Sequence, residues 1–342
     1  MLKENRPIAN WLLTGCVLIF IMVAIGGLTR LTHSGLSMVE WTAFGSTPPA
    51  SQEAWQELFD KYKQYPEYQQ VNFNFSLDEF KSIFYWEYAH RMFGRFIGLV
   101  FILPFLWFWF RKKISKSLMP KLILILFLGG FQGMLGWYMV KSGLIKNPDV
   151  SHYRLAMHLT TAFITFAYTF WVALGLIYPK KEGAYASHPL KKYFLVLLPV
   201  LFIQIVWGAY VAGLNAGKVY TSWPKMGQQW IADGVTAMEP WWQNFVEGLA
   251  GVQFVHRYLA YVVVGLVLLI FFKARKMKLS ASQKNGVTVL VLGVSLQFLL
   301  GIFTLIYAVP VTLGLLHQLG AFILLGATVF GLQRFDEANV LR

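Results

Sequence analysis

The chain contains the segment Trp86-Glu87-Tyr88-Ala89-His90-Arg91 and, 166 positions later, the segment Val252-Gln253-Phe254-Val255-His256-Arg257. Each segment places a histidine directly before an arginine and leads into a run of apolar residues. Three positions before the histidine stands a glutamate in the first segment and its neutral isostere in the second. A pattern that recurs in this way is typical of a chain built from repeated units.

Three further matches occur in the same order in both halves of the chain. They are Gln132 and Gly136 with Gln297 and Gly301, His158 with His317, and the glycine-rich segment 26–36 with the segment 208–214. Four matches in one order favour a duplicated unit over chance. If each unit spans the membrane four times, both share one topology, related by an axis along the membrane normal.

The composition indicates a lipid environment. Of the 342 residues, 56% are hydrophobic and 13% are charged, whereas soluble proteins carry about 25% charged residues. Eight apolar stretches reach the roughly 20 residues that a membrane-spanning helix needs. They lie at about 11–31, 92–110, 120–140, 155–178, 193–213, 254–272, 286–308 and 311–332. We therefore predict an all-α membrane protein with eight transmembrane helices, arranged as two pseudo-symmetric four-helix bundles.

The predicted units are residues 1–178, which include a large outer loop at 37–85, and residues 179–342. Within the outer loop, the pattern from Ser51 to Tyr62 predicts an amphipathic helix with Ser51 as its N-cap. A second outer loop is rich in tryptophan, which is typical of the membrane–water interface.

The net charge of +14 is unevenly distributed along the chain. If the N-terminus is cytoplasmic, the cytoplasmic segments hold 18 Lys or Arg against 4 Asp or Glu, and the remainder holds 12 of each. This is the pattern of basic residues that retains loops on the cytoplasmic side. It predicts a multi-pass membrane protein with both termini on the cytoplasmic side. A nucleic acid partner is not needed to explain the charge.

Four of the seven histidines fall in or at the edge of predicted spans. They are His90 and His158 in the first unit and His256 and His317 in the second. An ionisable residue within a span is costly and marks a functional candidate. Buried, hydrogen-bonded core histidines are the alternative, but the repeat-matched positions argue against it. His33, His152 and His188 fall between the predicted spans, and we expect them to be surface residues.

Two histidines in each bundle suit heme better than a bare metal ion. Zinc takes four ligands, often including cysteine or carboxylate. A heme brings its own equatorial nitrogens, so two histidines complete the coordination of its iron. Arg91 and Arg257 follow two of these histidines and suit the heme propionates, because guanidinium groups bind carboxylates bidentately. Snorkelling to the membrane edge is the alternative role for both arginines.

The difference between Glu87 and Gln253 separates the two units. Each lies one helical turn before its histidine, on the same helix face. A carboxylate beside a heme edge can act as a general base or stabilise a developing cation, whereas a site that only holds heme has no need of one. We infer that the first unit performs chemistry and the second carries a permanent heme. Capping of the helix entrance is the alternative role for Glu87.

From about Asn10 to Gln333, the chain resembles the heme A synthases, in particular the mitochondrial type. Besides the two histidine segments, the resemblance rests on Gly26-Gly27-Leu28-Thr29-Arg30-Leu31-Thr32, on the loop segment 59–68 and on Glu239-Pro240-Trp241. Some bacterial members carry a cysteine pair in the first outer loop. This chain has no cysteine there, so no thiol role is carried over.

The resemblance implies an enzyme that oxidises the C8 methyl of heme O to a formyl group by successive hydroxylations. It implies a cofactor heme b on His256 and His317 that relays electrons, substrate heme O near His90 and His158, and Glu87 as the essential acidic residue. Heme O synthase and cytochrome oxidase assembly factors are the expected partners. Small-residue helix faces also allow a homo-oligomer.

Two other functions fit the same histidines. One is a bis-histidine di-heme b protein that transfers electrons, although such proteins often place hemes near both membrane faces, whereas all four histidines here lie toward the outer side. The other is a heme carrier, which would not need the difference between Glu87 and Gln253.

Overall fold

The computed structural model describes residues 5–39, 47–143, 150–179 and 188–336. Within these ranges the chain forms ten α-helices joined by loops and short 3₁₀ turns. Both chain ends, whose side of the membrane the sequence predicts, and residues 40–46 of the first outer loop lie outside the described residues.

Eight of the ten helices in the described part of the chain are long and apolar enough to cross a membrane. They are α1 Arg6–Leu31, α4 Leu77–Phe110, α5 Met119–Gly143, α6 His152–Ile177, α7 Lys191–Gly213, α8 Leu249–Arg275, α9 Ala281–Ile306 and α10 Val311–Arg334. This confirms the predicted all-α, multi-pass membrane protein with eight spans.

Helix α4 begins well before the predicted apolar stretch. Ser76 caps it, since its hydroxyl accepts from the Glu79 amide while the Glu79 carboxylate accepts from the Ser76 amide. Such a capping box satisfies amide groups that would otherwise have no partner at the helix start. As a result, Glu87, His90 and Arg91 all lie inside one continuous helix, where their relative positions are set by helical geometry.

Helices α7 to α10 close into a four-helix bundle. Helix α7 packs on α8, α8 on α9, α9 on α10 and α10 on α7. The core between them is made of large apolar side chains, among them Phe194, Leu197, Val267, Leu290 and Leu324. In water, burial of each such side chain would contribute about 1.5–3 kcal/mol. In lipid, where helices have no hydrophobic driving force to associate, close packing of these side chains stabilises the bundle instead.

The chain groups into two compact units, Leu18–His158 and Leu159–Arg342 together with Met1–Val17. The predicted division at residue 178 stays a prediction, as does the symmetry between the halves.

The predicted amphipathic helix in the first loop is confirmed as α2 Gln52–Tyr62, capped by Ser51, whose hydroxyl accepts from the Ala54 amide at 3.2 Å. A short helix α3, Pro66–Gln70, follows it. An aromatic cluster joins the loop to the start of α4, and its buried members include Trp55, Phe59, Tyr62, Phe80 and Phe84. The loop therefore covers the α4 segment that leads to Glu87.

Candidate functional site

His256 on α8 and His317 on α10 face each other in the C-terminal bundle. Their ring centroids are 6.3 Å apart and the ring planes are inclined by 89°. A metal atom held by one nitrogen of each ring at about 2 Å would place the centroids roughly 6 Å apart. The pair therefore has the ring spacing expected of two imidazoles that bind one metal atom.

Glycines face both of these imidazoles. A Cβ atom at Gly208 would lie 3.0 Å from Cε1 of His256, and one at Gly301 would lie 2.9 Å from Cε1 of His317. Carbon atoms in contact normally stay about 3.5–4.0 Å apart. A side chain at Gly301 would therefore require the His317 ring to shift, and one at Gly208 would displace the His256 ring by a few tenths of an ångström.

The N-terminal half repeats the same arrangement. A Cβ at Gly26 of α1 would lie 3.0 Å from Cε1 of His90, and a Cβ at Gly136 of α5 would lie 3.0 Å from Cε1 of His158. His90 and His158 also lie within electrostatic range of each other. All four candidate ligands are thus seated against a glycine of a neighbouring helix.

Glutamines hold the helix backbone or the ring at three of the four histidines. The amide nitrogen of Gln132 donates to the carbonyl oxygen of His158 at 2.9 Å, and that of Gln204 donates to the carbonyl oxygen of His256 at 3.0 Å. The Gln297 amide nitrogen lies 3.2 Å from Nδ1 of His317. The contact at Nδ1 fixes the orientation of the His317 ring.

Replacing Gly301 with alanine should disturb the His317 site. The added methyl would force the His317 ring to move, so we expect the bound heme content to fall by about half or more and its absorption spectrum to change. The matched control is Gly265→Ala on α8, where a Cβ meets nothing within 4 Å. Equal heme content and spectra in the two variants would show that Gly301 does not position His317.

Glu87 is buried, and its hydrogen bonds with described residues reach the chain after α1 and its own helix. One carboxylate oxygen accepts from the Ser37 hydroxyl at 2.8 Å and from the Met38 amide at 2.7 Å. The other accepts from the Arg91 guanidinium, which also donates to the Met38 carbonyl at 2.9 Å. Glu87 and Arg91 together therefore fasten the chain that leaves α1 to the start of α4.

Gln253 is equally buried but makes the opposite kind of hydrogen bond. Its amide nitrogen donates to the Tyr220 carbonyl at 3.0 Å, while its side-chain oxygen is buried with no partner among the described residues. The two halves thus present a charged acceptor at one histidine and a neutral donor at the other. The contacts of Glu87 are compatible with both a chemical role and an anchoring role.

Arg91 and Arg257, which the sequence assigns to propionates, both hold loop carbonyls in this structure. Arg257 donates from one guanidinium nitrogen to the carbonyls of Ser222 and Lys225. Its other terminal nitrogen is buried and has no partner among the described residues. Because an unsatisfied buried donor is costly, this nitrogen is a candidate contact for an acidic group of a bound ligand.

The sequence did not assign the four glycines to the site. A glycine in a span is usually explained by close helix packing. The available signal was the repeat itself, since Gly136 and Gly301 both follow a glutamine, Gln132 and Gln297, by four positions.

Comparisons with known proteins show the family to which the chain belongs. Residues 9–329 match the family model COX15-CtaA, described as cytochrome oxidase assembly protein. The chain is 50% identical to a heme A synthase of Flavobacterium psychrophilum, covering 98% of this chain and 100% of the relative. It is 51% identical to the heme A synthase of Flavobacterium johnsoniae, with the same coverage, and 46% identical to that of Nitrosospira multiformis, covering 95% and 92%. The chain belongs to the COX15-CtaA family of cytochrome oxidase assembly proteins.

Proposed function

We propose that this protein is a heme A synthase, an integral membrane enzyme that oxidises the C8 methyl of heme O to a formyl group. Relatives that share about half of its residues over nearly the whole chain carry that name. The observation that carries the proposal is one buried carboxylate, Glu87, beside one of two matched histidine pairs.

The cofactor in this proposal is a heme b held by His256 and His317. These two side chains, whose ring centroids lie 6.3 Å apart, would hold its iron. The unpartnered nitrogen of Arg257 supports a contact with a propionate. When bound, the heme b would supply one-electron relay between the substrate and an external acceptor or donor.

Substrate heme O would bind near His90 and His158, with Arg91 beside a propionate. Two successive hydroxylations of the methyl would give a geminal diol, which loses water to leave the aldehyde. Each hydroxylation is a two-electron oxidation of the carbon, and its oxygen atom and oxidant come from outside the protein. Glu87 takes up or delivers protons at the reacting edge, a role that a carboxylate fills well and the amide of Gln253 does not. The ion pair with Arg91 would hold the Glu87 carboxylate in one orientation for that transfer.

For location, we propose the bacterial cell inner membrane, or the mitochondrial inner membrane in a eukaryote, with both termini cytoplasmic. The bacterial relatives and the distribution of basic residues support this. Heme O synthase, as the source of substrate, and cytochrome oxidase assembly factors, as recipients of product, are the proposed partners. A homo-oligomer remains compatible with the glycine-containing helix faces.

The function can be tested in a bacterial strain that makes heme O and lacks its own heme A synthase. Expression of this chain should restore heme A in membrane extracts, while the empty vector should not. Bound heme b with heme O left unchanged would instead favour an electron-transfer cytochrome or a heme carrier.

A further inference from the structure

A second carboxyl group, Glu67, is buried in the loop that covers the start of α4. Only 5% of its surface is exposed. The Tyr62 hydroxyl donates to a carboxyl oxygen of Glu67 at 3.1 Å, and the Asn72 amide nitrogen donates to the Tyr62 oxygen at 2.9 Å. Since the Tyr62 hydroxyl has one proton to donate, the direction of these two hydrogen bonds is set: Asn72 donates to Tyr62, and Tyr62 donates to Glu67.

The surroundings of Glu67 are apolar and lack a compensating cation. Tyr62 is fully buried and stacks on Phe80, with ring centroids 4.9 Å apart. Among the described residues, no lysine or arginine forms a salt bridge with Glu67, whereas Glu87 has Arg91. Burying an ionised carboxylate without a partner is very unfavourable, so the geometry favours the protonated form.

Electrostatics links Glu67 to the candidate catalytic residue. Tyr62, which donates to Glu67, and Met38, whose amide donates to Glu87, belong to the same buried cluster between the loop and α4. The charged or titratable groups that act on Glu67 are Tyr62 and Glu87, and Glu87 is itself paired with Arg91. Burial, and next the negative charge of Glu87, raise the pKa of Glu67 to about 8. A glutamine at position 67 could accept the same hydrogen bond from Tyr62 without the cost of burying an ionisable group. The hydrogen bond alone therefore does not explain why this position holds an acid.

We propose that Glu67 is a positioning residue that acts through Glu87. While Glu67 holds its proton it adds no charge to the site, and loss of the proton places a second negative charge near Glu87. That charge repels the Glu87 carboxylate and disturbs the orientation in which Arg91 holds it. The role rests on the proposed function, because it assumes that Glu87 handles protons during oxidation of the methyl.

The activity test compares pH profiles of Glu67→Gln and wild-type protein, with Glu57→Gln, an exposed acid on α2, as the control. Wild-type heme A formation should fall about fivefold between pH 7 and pH 9 as Glu67 ionises, and the control should follow it. Heme A formation by Glu67→Gln should change by less than about twofold over the same pH range. An unchanged alkaline fall in Glu67→Gln would overturn the proposal.

A second measurement needs no activity. In purified holoprotein, infrared titration should show a protonated carboxyl band that disappears near pH 8 and is absent in Glu67→Gln. Glu87→Gln should lower the midpoint of this band, because it removes the nearby charge, and Tyr62→Phe should raise it, because it removes the donor to the carboxylate. Absence of the band, or a midpoint indifferent to Glu87→Gln, would contradict the proposal.

If wild-type protein makes no heme A, the proposed function fails, and these midpoints still decide whether the two acids are coupled.

Discussion

Replacing Glu87 with glutamine should reduce formation of heme A by about 10²- to 10⁴-fold, the range typical of a lost general acid or base. Glutamine has nearly the same shape, and its oxygen can still accept from the Ser37 hydroxyl and the Met38 amide. Heme b should therefore remain bound in the C-terminal half. The measurement is the rate of heme A formation together with the heme b content of the purified variant.

Two controls separate chemistry from anchoring. Asp78→Asn removes an acid whose side chain is 92% exposed on the same helix, and it should behave as wild type. Ser37→Ala removes one loop contact of Glu87 but keeps its carboxylate. If Ser37→Ala lost as much activity as Glu87→Gln, the carboxylate would be an anchor for the loop and its proposed proton transfer would be wrong.

Replacing His317 with alanine should remove the bound heme b and, with it, formation of heme A. The His256 ring would then have no opposing imidazole, and one protein ligand holds a heme much less well than two. The control Leu316→Ala alters an exposed residue one position earlier on α10 and should keep full heme content. Absorption spectra and extracted heme of the two variants give the result. Full retention of heme b in His317→Ala would contradict the assignment of this ligand.

The spans and the loop helix could be predicted because their signals are local. An apolar run of about 20 residues and a serine at a helix start have the same meaning in most folds. The start of α4 at Leu77 was not predicted, because the segment before the apolar run is amphipathic and its helicity depends on packing against the loop. His152 was expected at the surface and is buried, since it lies in the first turn of α6 with its ring against Tyr153.

The candidate ligands were predictable because a histidine in a span is rare and the repeat doubles the signal. The glycines packed against the histidine rings and the burial of Glu67 depend on which helices and loops become neighbours. No local sequence pattern encodes that. The contacts of Arg91 and Arg257 with loop carbonyls also depend on which segments become neighbours. Nothing in the sequence distinguishes a guanidinium that binds a ligand from one that also fastens a loop.

The most direct test of the central claim is the heme content of the wild-type protein. The protein would be purified from cells that also produce heme O, and its hemes would be extracted and separated by chromatography with mass detection. The account predicts heme b together with heme A or its hydroxylated intermediate. Heme b alone, with heme O present and unchanged, would contradict it and would identify an electron-transfer cytochrome in which Glu87 is structural.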